Sequence, residues 1–323
     1  NEGRSNAFRY PHAYRTCHHH QIAPGMTSPR KLFALALLTL MWGVNWPVMK
    51  LGLREMSPLY FRALTMSGGF VLLVAYYRFR GYRLSLPAGT FSRVVLLAGP
   101  NILGWHALSI FGVQALASGR AAILGFTMPI WTVIFGVLFF QERMTRRLWL
   151  ATGCAGGAVL LLLWHELATM SGRPVGMSWM LSAAAVWALG TLMLKRMSAM
   201  IPTEVLTVWM IGLSVPVLWL LAITLEPWPA WEFSQPMWGV LAYSAAINYG
   251  VAQIIWFSIA RSLPPTASAL SIMFIPVIGL GSAMLLTGEV PYVEDYVAVV
   301  LIIAALAATL LPSPAALKRS APP

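Results

Sequence analysis

Three asparagines fall where lipid alone would favour leucine. Asn45 lies in the run Met41 to Lys50, MWGVNWPVMK, inside an apolar stretch from Leu32 to Leu53, and Asn101 and Asn248 fall near the middle of two further apolar stretches. A polar group unpaired in hydrocarbon is costly, by roughly 2.5–3.5 kcal/mol for Lys at a helix centre, so these side chains must face protein or a wet cavity. On a helix, Trp42 and Met49 flank Asn45 at i−3 and i+4, and Trp105 follows Asn101 at i+4. Each amide therefore shares a face with a large apolar side chain, which suits a solute with one polar and one apolar end. Hydrogen bonds that merely fasten helices to one another are the structural alternative.

The cations divide in the same way. Lys50 and Lys195 lie one or two turns from the ends of their stretches, and Arg62 about five residues into its own. Each either snorkels to the headgroups or places a charge at the mouth of a path. His106 is an imidazole within a span, and titration near neutral pH would let it carry a proton; a satisfied core histidine is the alternative. All 10 carboxylates (Glu2, Glu55, Glu142, Glu166, Glu204, Glu226, Glu232, Glu289, Glu294, Asp295) lie in the tail, in loops or at helix ends. No buried acid is then available as a proton or sodium relay, and any ion coupling must use His106, Lys50 or backbone carbonyls. A membrane-embedded enzyme would need a nucleophile with a base, a metal cluster or paired acids within the bundle, and the sequence offers none of these.

The elements that position these residues follow from composition. With 58% hydrophobic and 10% charged residues and a mean hydropathy of +0.71, the chain is an all-α integral membrane protein. Stretches of about 20 apolar residues match a bilayer core of roughly 30 Å. Ten transmembrane helices are expected, near 32–53, 57–77, 91–115, 118–140, 145–165, 177–195, 203–225, 238–260, 264–286 and 292–311. Loops then alternate sides. Arg4, Arg9, Arg15, Arg30, Lys31, Arg78, Arg80, Arg83, Arg93, Arg143, Arg146, Arg147, Lys195, Arg196, Arg261, Lys318 and Arg319 fall on the side of the termini. Lys50, Arg54, Arg62, Arg120 and Arg173 fall on the other. The positive-inside rule gives an N-in/C-in topology, so the net charge of +12 is topological and implies no nucleic acid. The cluster His12, Cys17, His18, His19 and His20 lacks a second pair at finger-like spacing, and no metal or cofactor is expected. Cys17 and Cys154 give no disulfide framework.

The chain is also duplicated. At an offset of 145, Trp42 maps onto Trp187 and Lys50 onto Lys195; at 147, Asn101 maps onto Asn248, His106 onto Gln253, Leu116 onto Leu263, Pro129 onto Pro276 and Glu142 onto Glu289. The boundaries are a disordered or non-native tail over 1–29, a first repeat over 30–172, a second over 173–312 and a cytoplasmic tail over 313–323. Five spans per repeat force the copies into opposite orientations, and inverted repeats are the usual architecture of secondary transporters. Pro47, Pro129, Pro216 and Pro276 each free a carbonyl four residues earlier, marking bending points. In the fifth and tenth spans, Gly153, Gly157, Ala304 and Ala308 leave two readings open: tight internal packing, or a homodimer face.

The run at 42–50, its echo at 187–195 and the stretch LASGRAAILGFTMPIWTVIFGVLFFQER with its partner at 263–290 carry a resemblance. The chain resembles the drug/metabolite transporter superfamily, in its ten-helix EamA-type branch, over residues 30–312. The resemblance implies a basket in which spans 1–4 and 6–9 surround a path while 5 and 10 stand outside. It also implies export of amino acids or related metabolites across an inner membrane. On that reading Asn45, Asn101 and Asn248 orient the solute, Trp42, Trp105 and Trp187 touch its apolar part, and Lys50 guards the outer mouth; His106 and Gln253 complete the lining. Ala188 and Gly190 stand where the first repeat has Gly43 and Asn45, so a symmetric site is not expected. A lipid or lipid-linked-sugar flippase, or a non-transporting membrane partner, is the alternative, distinguished by a lateral opening between helices.

Overall fold

The computed structural model describes residues 29–140, 145–168, 174–197, 201–255 and 265–310. The histidine and cysteine cluster of the first tail, the C-terminal tail, Glu142 and the side chain of Lys195 lie outside the described residues. Within them, regular structure is helical: α1 (Pro29–Gly52), α2 (Pro58–Phe79), α3 (Phe91–Ala98), α4 (Trp105–Ala115), α5 (Ser118–Gly125), α6 (Met128–Phe140), α7 (Arg146–Ala168), α8 (Pro174–Met197), α9 (Thr203–Leu225), α10 (Gln235–Ala242), α11 (Pro265–Thr287) and α12 (Val293–Leu310). Two wider π-helical turns interrupt the series, π1 (Gly99–Gly104) between α3 and α4 and π2 (Tyr243–Val251) after α10.

Among the described residues, 7 helical stretches are long and apolar enough to cross a membrane: Phe33–Gly52, Pro58–Phe79, Phe91–Ala115, Ser118–Phe139, Arg146–Trp164, Pro174–Leu194 and Thr203–Leu225. Large apolar side chains stand on the outer surface, with Leu285 86%, Phe33 71% and Trp164 71% exposed. A surface of that kind has lipid for its solvent, and helices suit it because they satisfy their own backbone groups.

The packing carries the duplication. α1 lies against α11, and α8 lies against α5 and α6; α2 meets π2, and α9 meets α3 and π1. α1 also touches α10 and π2, as α8 touches π1 and α4, while α2 pairs with α9 and α7 with α12. Exchanging the halves turns each of these contacts into another one, except α2 with α9 and α7 with α12, which turn into themselves. Close approach is built into the sequence: a Cβ on Gly43 would come within 2.4 Å of Ile278, so only glycine lets α1 and α11 cross there.

The seam between α7 and α12 is made of alanines and branched residues, with Ala151, Ala155, Ala158, Ala298, Ile302 and Ala305 all buried. Gly153 is not in that seam, since a Cβ there would meet nothing within 4 Å, and Gly157 would meet Leu301 at 3.7 Å. The prolines also differ in effect. α1, α9 and α11 run through Pro47, Pro216 and Pro276 without a break. Ahead of Pro129 the helix stops, and α5 and α6 are joined through Phe126 and Thr127, where the Thr127 hydroxyl donates to Leu124 O at 2.7 Å. Proline lacks the N–H and disfavours helix in the residue before it. At this point Gly125 packs on Trp46, whose ring would lie 2.9 Å from an added Cβ.

Candidate functional site

Where α2, α4 and π2 meet, the chain buries a cation. The Arg62 side chain extends from the first turns of α2, and its Nη1 donates to the Tyr249 hydroxyl at 2.8 Å. Nη2 donates to Ser109 Oγ at a longer 3.3 Å, and Nε has no hydrogen-bond partner although it is buried. The Tyr249 oxygen accepts from arginine, so its own proton is free for His106 Nδ1, 3.1 Å away. His106 and Tyr249 rings meet edge-on at 5.3 Å. Next to His106, Trp105 lies tilted on Trp187 with centroids 4.6 Å apart and edge-on to Trp46 at 6.5 Å. A cationic, hydroxyl-lined centre thus adjoins an indole wall contributed by α1, α4 and α8.

The asparagines take different roles. Asn101, in π1, is buried, and its amide donates to Leu97 O at 2.9 Å and to Gly190 O of α8 at 3.1 Å. Gly190 makes this approach feasible, because a Cβ there would fall 2.7 Å from Asn101 Cγ. Asn101 therefore ties two helices together. Asn45 is 8% exposed, and its Oδ1 is buried without a partner. Asn248 is buried in π2, as is Ser244, whose hydroxyl is also unpartnered. Trp42 is half-buried against the core, and Gln253 is half-buried one turn beyond Tyr249. Pro47 and Pro276 are buried within their helices, and Pro129 is half-buried at the start of α6.

Lys50 turns to a helix end. Its Nζ donates to the carbonyls of Val113, Gln114 and Leu116 at 3.0, 2.7 and 2.7 Å, which satisfies orphan acceptors at the C-terminus of α4 where a cation is favoured. The acids do the converse at the same end of the bundle. Glu289 accepts from the Ser118 N–H and hydroxyl at 2.7 Å and from the Gly119 N–H at 3.1 Å, capping α5. Glu226 accepts from the Leu59 and Tyr60 N–H groups at 2.9 and 3.1 Å, capping α2. Glu55 accepts from the Ser234 N–H and hydroxyl beside α10, and these bonds hold its carboxyl below the usual carboxylate range. Arg120 and Asp295 form a buried ion pair at 2.7 Å, with the guanidinium 5.2 Å from the Tyr292 ring. These four acid contacts each join one half of the chain to the other.

Sequence reasoning missed Tyr249, Ser109 and Trp46. Tyr249 and Ser109 bond to Arg62, and nothing in their spacing announces it; Trp46 lies in the run at 41–50, where its type alone does not distinguish it from a packing residue. The acids were placed at helix ends, and their partners lie far away in sequence.

Helices with lipid-facing exteriors, a duplicated arrangement and a polar centre walled by indoles define a multi-pass membrane protein of the transporter class. The EamA-like transporter family model matches residues 30–164 and again 174–311. The chain belongs to that family. It is 22% identical over 251 residues to the uncharacterized transporter YoaV of Bacillus subtilis, covering 77% of this chain and 86% of that one. It is 26% identical over 301 residues to a probable amino-acid metabolite efflux pump of Salmonella typhimurium, covering 85% and 92%. The uncharacterized inner membrane transporter YedA of Escherichia coli matches 171 residues at 26% identity, 51% of this chain and 53% of that one. A solved crystal structure 20% identical, covering 86% of this chain and 96% of its own, superposes with a TM-score of 0.60 and supports the fold.

Proposed function

We propose that the chain is a secondary transporter, not an enzyme, that exports amino acids or related small metabolites across an inner membrane by alternating access. Ten spans in two inverted five-helix repeats carry it, with both termini in the cytoplasm. The observation that carries this reading is the exchange symmetry of the helix pairs, together with the hydrogen bonds and the ion pair that join the two halves. Two related halves supply two gates of similar energy around one central site, and the positive-inside count supports an outer position for the end where Glu289 and Glu226 join the halves. The Salmonella relative's name supports amino-acid metabolites as the cargo. Asn45, with its unpartnered acceptor, and the Trp105–Trp187 pair are the lining best placed to hold the solute, and Lys50 bears on the path by holding the end of α4. A homodimer through the fifth and tenth spans would use the uncovered Gly153 face of α7.

Counterflow in proteoliposomes tests this. Vesicles loaded with unlabelled amino acids and related metabolites are expected to take up labelled solute saturably, and Lys50→Met and Asn45→Ala to weaken the uptake. Uptake indifferent to both substitutions keeps the carrier and removes the assigned lining; no uptake by folded protein removes the carrier.

One observation favours a second reading, a lipid flippase. A groove of about 440 Å³ lies between α2 and α9, lined by Phe70, Val74, Arg78, Trp209 and Leu213 among others. Its charged group, Arg78, stands at one end, so the polar lining does not run the depth of the groove, and the small-solute reading is preferred. Scrambling of a fluorescent lipid by the same vesicles separates the two.

A further inference from the structure

Arg62 lies four residues after Pro58, close to the end of α2 that Glu226 caps, where an arginine in a span ordinarily turns outward so that its charge reaches the headgroups. It turns inward instead. Its partner Tyr249 packs against Gly69, where an added Cβ would lie 2.1 Å from that of the tyrosine. Gly69 is about 10 Å further along the helix than Arg62, at a rise of about 1.5 Å per residue. The guanidinium is thus carried toward the interior of the bundle, and the residue is 3% exposed.

A buried charge is ordinarily paired. Arg120, at 6% exposure, follows that rule and has Asp295 at 2.7 Å. Arg62 has no carboxylate bonded to it among the described residues, and its side-chain partners are the hydroxyls of Tyr249 and Ser109. The two contacts are unequal. The Nη1 bond is short, the Nη2 bond is 3.3 Å, and Nε has no partner, so the Nε–Nη2 edge is weakly held. That edge presents two parallel N–H groups, the geometry that takes a carboxylate through both oxygens. Beyond Tyr249 and His106 begins the indole wall of Trp105 and Trp187.

We propose that Arg62 is the anion anchor of the transport path, taking a solute carboxylate on its Nε–Nη2 edge. The solutes are accordingly small monocarboxylates whose apolar or aromatic body rests on the Trp105–Trp187 pair. This deepens the carrier reading and rests on it for the ligand's being cargo.

The test uses purified full-length chain in detergent, with 3-phenylpropionate and its uncharged amide as probes and thermal stabilisation as the measure of binding. The parent is expected to bind the acid about tenfold more tightly than the amide, the scale of a charge-assisted bidentate pair. In Arg62→Gln the ratio is expected to fall to about one. Arg62→Lys, which keeps the charge but not the fork, should fall between them, and it decides the matter if the glutamine variant does not fold. An amide bound as well as the acid, or an acid preference that survives both substitutions, overturns the proposal. Equal stabilisation by chloride or inorganic phosphate at the same concentration overturns the carboxylate assignment. Counterflow in parallel keeps the two readings apart. Acid-selective, Arg62-dependent binding without counterflow of any solute removes the carrier and leaves the anchor; counterflow indifferent to charge and to Arg62 leaves the carrier and removes the anchor.

Discussion

Gly190 has no side chain where Asn101 needs the space. The Asn101 amide reaches the Gly190 carbonyl at 3.1 Å, and a methyl group on Gly190 would sit 2.7 Å from Asn101 Cγ and 2.9 Å from its backbone nitrogen. The backbone contact leaves little room for a rotamer change to relieve the clash. Gly190→Ala is expected to cost about 1–3 kcal/mol as overpacking at a helix crossing, read as a lower melting temperature in detergent. Asn101→Ala in the same background should recover part of the loss, because it removes the clashing amide; an unchanged melting temperature for Gly190→Ala would show that the two helices are free to separate. The polarity of Asn101 was legible in the sequence, and so were both readings of it, solute contact or helix fastening. Its partner was not, because a carbonyl acceptor 89 residues away leaves no trace in residue type. Arg62 shows the same limit: the choice between snorkelling outward and reaching inward depends on where Tyr249 stands, and the periodicity of α2 carries no information about π2.

The helices themselves follow from hydropathy, and the expected span over 203–225 coincides with α9 (Thr203–Leu225). The π turns were not read from the sequence. Pro100, which cannot donate an N–H, accompanies π1, but π2 contains no proline, so its wider turn comes from tertiary packing against α2 and α1. The end caps were equally hidden, since Glu289 and Glu226 cap helices of the other repeat and not their own. Glu289→Ala removes an acceptor from the first turn of α5, a loss of about 1–2 kcal/mol by analogy with helix caps. Spin labels at Gln114 and Val290 are expected to report a broader and longer distance distribution in that variant, and an unchanged distribution would mean that Glu289 does not hold the end closed. Glu55 adds a pH dependence whose sign follows from its bonds to Ser234. Its carboxyl is held below the ordinary range in the folded chain, so the contribution is present at neutral pH and is lost as pH falls through that lowered value. Labels at Arg54 and Gln235 should therefore move apart only at pH below the ordinary carboxylate range, and Glu55→Gln should show the separated distribution already at pH 7.

Duplication governs the whole molecule, and its residue-level exceptions are where function is to be sought. The offsets of 145 and 147 in the sequence reappear as exchanged helix contacts, with Asn101 in π1 and Asn248 in π2. The symmetry fails in several places, and one of them lies among the candidate site residues. Asn101 of the first half faces Gly190 of the second and spends its amide protons on backbone carbonyls, while the position equivalent to Gly190 is Asn45, whose Oδ1 is buried and unpartnered. An orphan acceptor in a span is a stability cost of about 1–3 kcal/mol, which on the carrier reading proposed above a solute would offset. Asn45→Ala is expected to raise the melting temperature by a few degrees, since the orphan is removed at a position where alanine is the better helix former. In the same preparation counterflow should fall. Opposite signs for stability and transport are the signature of a group held ready for solute, whereas a lower melting temperature with transport unchanged would identify Asn45 as a fastening amide like Asn101.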